Sequence, residues 1–263
     1  MFNLSAKQIV DAVPWDVYPY WAMENQQDLP SKGLFNGAIA VVDGYLVPHP
    51  PLIAMATGTA NDVPLIIGTT AQEIGFPQQK VFKSKEIFKK YAQTHLEPFL
   101  GRNKTIMALN MYPGTAQYSF LTLGSDIAVN CPDDVIALNA SQGFRSTVYR
   151  YVVTNSPSEP VHVDGFICQY AFHMWDLIAF FGFPHELNYK PSERDMEFMR
   201  DLRRELGTFI HHRRVYGKSW REYPNATALF TNNGVEVLTN RGYHEKECSF
   251  WMENGFFPYA WIN

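Results

Sequence analysis

The stretch Asp62-Val-Pro-Leu-Ile-Ile-Gly68-Thr-Thr-Ala-Gln-Glu73-Ile-Gly75 contains a strong strand signal, and a carboxylate follows it closely. Its apolar part is short and bounded by Pro64 and Gly68, which is typical of a buried strand in an α/β sheet rather than of a helix. Glu73 then lies in the loop beyond the carboxyl end of that strand, where open α/β sheets place functional groups. The same position also suits a carboxylate that caps the next helix or faces water.

Helical and strand patterns alternate along the rest of the chain. Ser84 and Ser192 are typical helix caps, and Pro132 followed by two aspartates indicates a helix start, with the acids near the positive end of the helix dipole. We predict strands near 62–68, over 147–154 and over 234–239. We predict helices that begin at Ser84, span 132–143 and span 192–212. The first of these helices has Ile87, Phe88 and Tyr91 on one face, and the residues of the last that face the core are Met199, Leu202, Leu206, Phe209 and Ile210. This alternation predicts an α/β fold with a mostly parallel sheet and flanking helices.

Composition excludes several classes of protein. The 263 residues are 46% hydrophobic and 18% charged, which excludes a generally disordered chain. A net charge of −4 gives no electrostatic reason to bind nucleic acid or an anionic membrane. We also find no apolar run long enough to span a membrane and no signal-peptide pattern at the first residues. The sequence therefore favours a small or neutral partner.

His173 is the second residue with a candidate chemical role. It lies in Tyr170-Ala-Phe-His-Met-Trp-Asp-Leu-Ile-Ala-Phe180, a segment rich in aromatic residues. In such surroundings a histidine needs a carboxylate to fix its tautomer and to stabilise its protonated form, and Glu73 is the candidate partner. The alternative is an ordinary core histidine. The aromatic residues indicate either an apolar substrate or simple core packing.

The order of these two residues is informative, and so are the motifs that the sequence lacks. An acid followed by a histidine, each after a strand, is the second half of the order Ser, Asp/Glu, His in α/β-hydrolases. Only Ser5 and Ser31 precede Glu73, and the chain contains no Gly-x-Ser-x-Gly and no Gly-Gly run for an oxyanion hole. It also lacks the common nucleotide and zinc motifs, and His211-His212 has no third ligand nearby, so we expect no cofactor and no metal.

The residues resemble the carboxylesterase type B family, α/β-hydrolases that include the cholinesterases and the non-catalytic neuroligins. The resemblance runs through the whole chain but covers only the C-terminal half of the family, so it implies a partial domain over 1–263 that lacks the nucleophile half and is incomplete on its own. The motifs that carry it are Val41-Val-Asp-Gly44, Pro64-Leu-Ile-Ile-Gly-Thr69 with Glu73, Asp126 before Cys131-Pro132, His173-Met-Trp-Asp176 with Phe181-Gly182, Trp220-x-x-Tyr223, and Cys248-Ser-Phe-Trp251.

The resemblance implies a serine-type carboxylic ester hydrolase. Glu73 would be the acid of the catalytic triad and His173 the general base, acting on a small apolar ester in the full-length form. Because the nucleophile is missing from the sequence, we expect this chain to be inactive alone. The alternative is a pseudoenzyme or a non-catalytic interaction module of the neuroligin type, and the oligomeric state stays open.

The family also implies a pairing for the cysteines. Cys131 and Cys248 would form a disulfide and Cys168 would stay free, whereas the alternative is three buried thiols. A disulfide requires an oxidising compartment, so the resemblance implies a secreted protein or one of the endoplasmic reticulum lumen. Candidate glycosylation sequons begin at Asn3, Asn103, Asn139 and Asn225.

Three positions depart from the family pattern. The family usually has glycine directly after the acid and after the histidine, whereas this sequence has Ile74 and Met174. Asp176 stands where the family usually has glutamate. A glycine after the acid permits a tight backbone, so we expect Gly75 to take over that requirement.

Overall fold

The computed structural model describes residues 4–12, 28–29, 42–75, 80–163, 165–182 and 187–256, and every structural statement below concerns these residues. Their elements, in chain order, are α1 (Ala6–Asp11), α2 (Pro51–Ala56), β1 (Leu65–Thr70), α3 (Lys85–Met111), α4 (Ala116–Ser125), a π-helical segment (Asp126–Asn130), α5 (Cys131–Gly143), β2 (Val148–Val153), β3 (Val161–Val163), β4 (Phe166–Cys168), α6 (Trp175–Phe181), α7 (Glu193–His212), β5 (Ala226–Thr231), β6 (Gly234–Thr239) and α8 (Glu245–Glu253).

The main sheet positions the candidate site. Within the described residues its strand order is β1-β2-β5-β6, in which the first three strands are parallel and β6 is antiparallel to β5. β1 and β2 pair from Leu65↔Val148 to Thr70↔Val153. The carboxyl ends of β1, β2 and β5 therefore meet at one edge, and the predicted α/β class with a mostly parallel sheet is confirmed.

Alternation along the strands sends side chains to two different layers. Leu65 and Ile67 pack with α5, whereas Ile66 packs with α6 and α7 in the larger core cluster. Every residue of β2 is buried, which is usual for a parallel strand covered by helices on both faces. Helices thus pack on both faces of the sheet and hold in place the strands from whose carboxyl ends the loops emerge.

The predicted helix over 132–143 is confirmed as α5, but Pro132 does not stand at a free helix start. The chain is already helical from Ala116, and a π-helical segment joins α4 to α5 without a break. Proline lacks an N–H and so cannot donate the usual helix hydrogen bond. The wider π-helical turn just before Pro132 allows the helix to continue without that bond. The two aspartates after it are buried rather than exposed at a helix end, and Asp134 accepts hydrogen bonds from the Tyr223 hydroxyl at 2.6 Å and from the Arg241 guanidinium.

Smaller corrections concern which helix residues face the core and where a helix ends and a strand begins. The helix that begins after Ser84 continues to Met111 across non-helical Gly101, and Ile87 is exposed instead of facing the core. Ile210 is also exposed, in the last turn of α7. β1 begins after Pro64, three residues later than predicted. None of the described helices is long and apolar enough to cross a membrane.

Candidate active site

Glu73 lies in a tight loop directly after β1. Its Oε1 accepts a hydrogen bond from the backbone N–H of Thr70 at 2.5 Å, which ties the carboxylate to the end of the strand. The loop closes through a hydrogen bond from Gly75 N to Gln72 O at 2.7 Å. A Cβ at position 75 would lie 2.7 Å from that same carbonyl oxygen, so only glycine fits there. The requirement for glycine has therefore moved one residue, as the departure at Ile74 predicted.

Ile74 has a structural role of its own. It is completely buried, and its backbone N–H donates to Ser125 Oγ at the end of α4, at 3.0 Å. Its side chain occupies the space left by Gly124, where a Cβ would lie 2.3 Å from Ile74 Cδ1. An isoleucine after the acid therefore fixes this loop against α4.

The loop that carries His173 runs beside the acid loop. Gln72 and Phe172 form a parallel β-bridge, and His173 N donates to Gly75 O at 3.3 Å. Met174, the next residue, has φ 71° and ψ 3°, in the left-handed region that glycine enters most easily. Met174 therefore keeps a glycine-like backbone at the start of α6, although it carries a side chain.

These two loops bring Glu73 and His173 together. Glu73 Oε2 lies 2.5 Å from His173 Nδ1, across a separation of 100 residues in sequence. The carboxylate side chain is 11% exposed and the imidazole 46%, so the acid is largely covered while the ring reaches the surface. The pKa of His173 is raised above its usual value because the ring hydrogen bonds to Glu73, an effect that outweighs burial, and because the carboxylates of Glu73 and Asp176 lie nearby.

This pairing has a definite chemical consequence. A carboxylate at Nδ1 places the proton of the neutral ring on that nitrogen and stabilises the ring when it becomes an imidazolium. Proton transfer to and from a reacting group then falls to Nε2. The arrangement suits a general base whose orientation and charge are set by a partly buried acid.

Asp176 contacts a tyrosine from the sheet. Its Oδ2 accepts a hydrogen bond from the Tyr151 hydroxyl at 3.0 Å, and the ring of Tyr151 covers Gly68, where a Cβ would lie 2.4 Å from the ring. Burial, together with the charge of Glu73, raises the pKa of Asp176. No local motif marks Tyr151, because its partner lies 25 residues further along the chain.

The aromatic residues near His173 divide between core and surface. Phe172 and Trp175 are buried, and the Trp175 indole N–H donates to Asn155 Oδ1 at 2.9 Å, so both are packing residues. Phe180 is half-buried against the same cluster. Three apolar residues that follow His173 closely in sequence are exposed: Met174, Leu177 and Phe181, at 39%, 46% and 60% exposure.

The cysteines pair as the family resemblance implied. Cys131 and Cys248 form a disulfide between α5 and α8, and Cys168 is a buried free thiol. Beside the disulfide, His244 Nδ1 lies 2.6 Å from Asp126 Oδ2, a second acid–histidine pair that the sequence analysis missed. Asp126 is fully buried and also accepts from the Tyr112 hydroxyl at 2.9 Å, which identifies this pair as part of the attachment of α8.

The candidate glycosylation sequons lie at scattered positions in the chain. Asn103 and Asn225 are exposed, whereas Asn139 is half-buried in α5 and its amide donates to Val135 O at 2.8 Å. Asn3 and Ser31 lie outside the described residues. No group of three histidine, cysteine, aspartate or glutamate side chains in the described part of the chain could hold a metal ion.

Comparison with known proteins assigns the sequence to a family. The sequence matches the model of the carboxylesterase family over residues 3–251. This chain belongs to the carboxylesterase family. No curated protein matches the sequence.

The carboxylesterase fold is also seen in solved structures. A thermophilic PNB esterase covers 78% of this chain at 20% identity and a TM-score of 0.53, and a second PNB esterase structure covers 94% at 18% identity and 0.58. EstA from Aspergillus niger covers 81% at 19% identity and 0.55. At these identities the likeness shows the fold. The chain spans 41%, 48% and 44% of the respective proteins, which is less than half of each.

Proposed function

We propose that this chain supplies the acid and the general base of a serine-type carboxylic ester hydrolase, with Glu73 as the acid and His173 as the base. The observation that carries the proposal is the 2.5 Å contact between Glu73 Oε2 and His173 Nδ1 at the carboxyl edge of the sheet. Membership of the carboxylesterase family supports the reaction class.

The proposed reaction assigns one step to each group. A serine hydroxyl attacks the ester carbonyl while His173 Nε2 takes its proton, and the same nitrogen returns that proton to the departing alcohol. Water then attacks the acyl-serine ester by the same two proton transfers, which releases the carboxylic acid product and restores the serine hydroxyl. Glu73 stabilises the imidazolium, while its second oxygen accepts a hydrogen bond from the N–H of Thr70.

The serine and the oxyanion hole are proposed to come from polypeptide outside this chain. The 263 residues contain no Gly-x-Ser-x-Gly. The chain also spans less than half of the esterase structures that it matches. In the order Ser, Asp/Glu, His, the nucleophile precedes the two residues present here.

The surface around His173 supports a small apolar ester as the substrate. Met174, Leu177 and Phe181, which follow His173 closely in sequence at helical spacing, are exposed apolar residues. Apolar groups with a few polar ones among them are typical of small-molecule sites. The disulfide supports an oxidising compartment, and we propose secretion or residence in the endoplasmic reticulum lumen.

The proposal is tested with p-nitrophenyl butyrate on two proteins. The chain alone should give no stoichiometric burst of p-nitrophenol. The chain joined behind a segment with Gly-x-Ser-x-Gly from another member of the family should hydrolyse the ester. In that fusion His173→Gln and Glu73→Gln should each lower kcat by about 10³-fold or more, the scale of triad substitutions. The control is His162→Gln, which replaces the exposed residue of β3.

Two outcomes would contradict the proposal. A folded fusion that hydrolyses the ester equally well after His173→Gln would remove the histidine from the reaction. A burst from the chain alone would show that it carries its own nucleophile.

A second candidate is a non-catalytic binding module of the same family. The absence of a nucleophile motif from the sequence favours it. A short contact between a carboxylate and a half-exposed imidazole, which binding alone does not require, favours the esterase. A folded fusion with no hydrolysis would support the binding module.

A further inference from the structure

One buried amide joins the two loops of the candidate site. Gln72 directly precedes Glu73 and is only 3% exposed. Its backbone N–H donates to Ala171 O at 3.0 Å, and its side-chain Oε1 accepts from Ala171 N at 3.0 Å. Both polar groups of Ala171 are therefore bound to the same glutamine, two residues before His173.

The other end of the amide reaches a helix. Gln72 Nε2 donates to Thr122 Oγ1 in α4, also at 3.0 Å. The carbonyl of Gln72 accepts from Gly75 N and closes the acid loop. Hydrogen bonds of this one residue thus connect the acid loop, the histidine loop and α4.

The location of Gln72 makes this connection important for the acid–histidine contact. Glu73 and His173 come from loops that are 100 residues apart, and their contact survives only if both backbones keep their spacing. Losing a buried hydrogen-bonding group leaves its partners unsatisfied, at a cost large enough to shift a loop. A displacement of about 1 Å is enough to impair a catalytic arrangement.

We propose that Gln72 is a positioning residue that sets the spacing between Glu73 and His173. This inference rests on the proposed function, because it assigns a role in that same acid–histidine pair. Gln72 belongs to the acid loop, and its buried side chain acts through Ala171 and Thr122. It has no direct part in proton transfer.

The experiment replaces the amide with an apolar side chain of similar length. Gln72→Met removes the hydrogen bonds to Ala171 N and Thr122, and Thr122→Val removes only the one to α4. The matched control is Gln117→Met in α4, the helix that also contains Thr122. Like Gln72, Gln117 uses both ends of its amide: its Oε1 accepts from Phe82 N at 2.9 Å and its Nε2 donates to Lys80 O at 3.0 Å, and neither partner belongs to the acid loop or the histidine loop.

The readout is proton NMR of the 263-residue chain labelled with 15N-histidine. In the unsubstituted protein we expect a low-field resonance for the His173 Nδ1 proton, identified by its loss in His173→Gln and in Glu73→Gln. Gln72→Met should broaden or abolish that resonance and shift the pKa of His173 toward the ordinary histidine value. Thr122→Val should give a smaller shift in the same direction, and Gln117→Met none. The charged groups that act on His173 in this titration are Glu73 in the acid loop and Asp176 in α6.

The outcomes separate this inference from the proposed function. If the unsubstituted protein shows no Glu73-dependent resonance, the acid–histidine pair itself fails. If that resonance is present and is unchanged in folded Gln72→Met, only the positioning role fails. Should Gln72→Met not fold, Thr122→Val decides, because a spectrum identical to that of Gln117→Met would overturn the inference.

Discussion

Removing the disulfide should produce a large loss of stability. Cys131 and Cys248 are 117 residues apart in sequence, so their bond closes a long loop in the unfolded chain. The chain-entropy relation gives about 4.9 kcal/mol at 25 °C for a loop of that length. We therefore expect the free energy of unfolding to fall by about 4.9 kcal/mol when both cysteines are replaced by alanine.

Most of that loss should come from the unfolded state, because other contacts still hold α8. His244 remains bound to Asp126, and the Trp251 indole N–H donates to the Tyr112 hydroxyl at 2.7 Å. Trp251 is also fully buried. The double variant should therefore fold with α8 in place, and its near-ultraviolet circular dichroism should match that of the unsubstituted protein.

Urea unfolding followed by tryptophan fluorescence measures the effect. With a urea dependence of about 3 kcal/mol/M, the midpoint should fall by about 1.6 M. The control is Cys168→Ala, which removes a buried thiol that closes no loop and should cost about 1 kcal/mol. If the double variant lost no more stability than Cys168→Ala, the loop-closure reasoning would be refuted.

Two further predictions concern the acid loop and the buried carboxylate of Asp133. Gly75→Ala should weaken the His173 low-field resonance and destabilise the protein by about 1–3 kcal/mol, because the new Cβ would lie 2.7 Å from a backbone oxygen. Gly207→Ala, in an open part of α7, should be neutral or stabilising, and equal effects of the two substitutions would contradict the argument. Burial raises the pKa of Asp133 from its usual value of 3.8 to about 7, opposed by Arg150, so its contribution to stability is complete below pH 3.8 and is lost as the pH rises through 7. Urea midpoints should therefore fall between pH 5 and pH 8, and Asp133→Asn should flatten that dependence. An unchanged pH dependence in Asp133→Asn would show that another group is responsible.

The sequence predicted those parts of the fold and the site that depend on local pattern and on chemical type. β2 is evident from its β-branched and aromatic residues, and α7 from the helix cap at Ser192, which in the structure forms a capping box with Asp195. The convergence of Glu73 and His173 also followed from the order of an acid and a histidine, each after a strand, although their catalytic roles remain a prediction.

What the sequence could not predict depends on contacts between distant segments. Pro132 and the aspartates after it give the same local signal at a true helix start and after a π-helical segment, so the continuous helix from α4 to α5 was missed. Gln72 carries no motif, because its partners are 99 and 50 residues away. Tyr151 was assigned only as a strand residue, since the space for its ring depends on Gly68 in a neighbouring strand.

The two positions that depart from the family's glycines have different physical explanations. After the histidine, the backbone itself is left-handed, and Met174 adopts it at a cost of about 1–2 kcal/mol that glycine would avoid. After the acid, the backbone of Ile74 is not left-handed, and the need for a missing Cβ falls on Gly75. After the histidine, the left-handed backbone is thus retained although Met174 carries a side chain. After the acid, the requirement for glycine is displaced by one residue, to Gly75. Since Glu73 and His173 still lie 2.5 Å apart, the geometry of the pair depends on these backbone paths rather than on glycine at either named position.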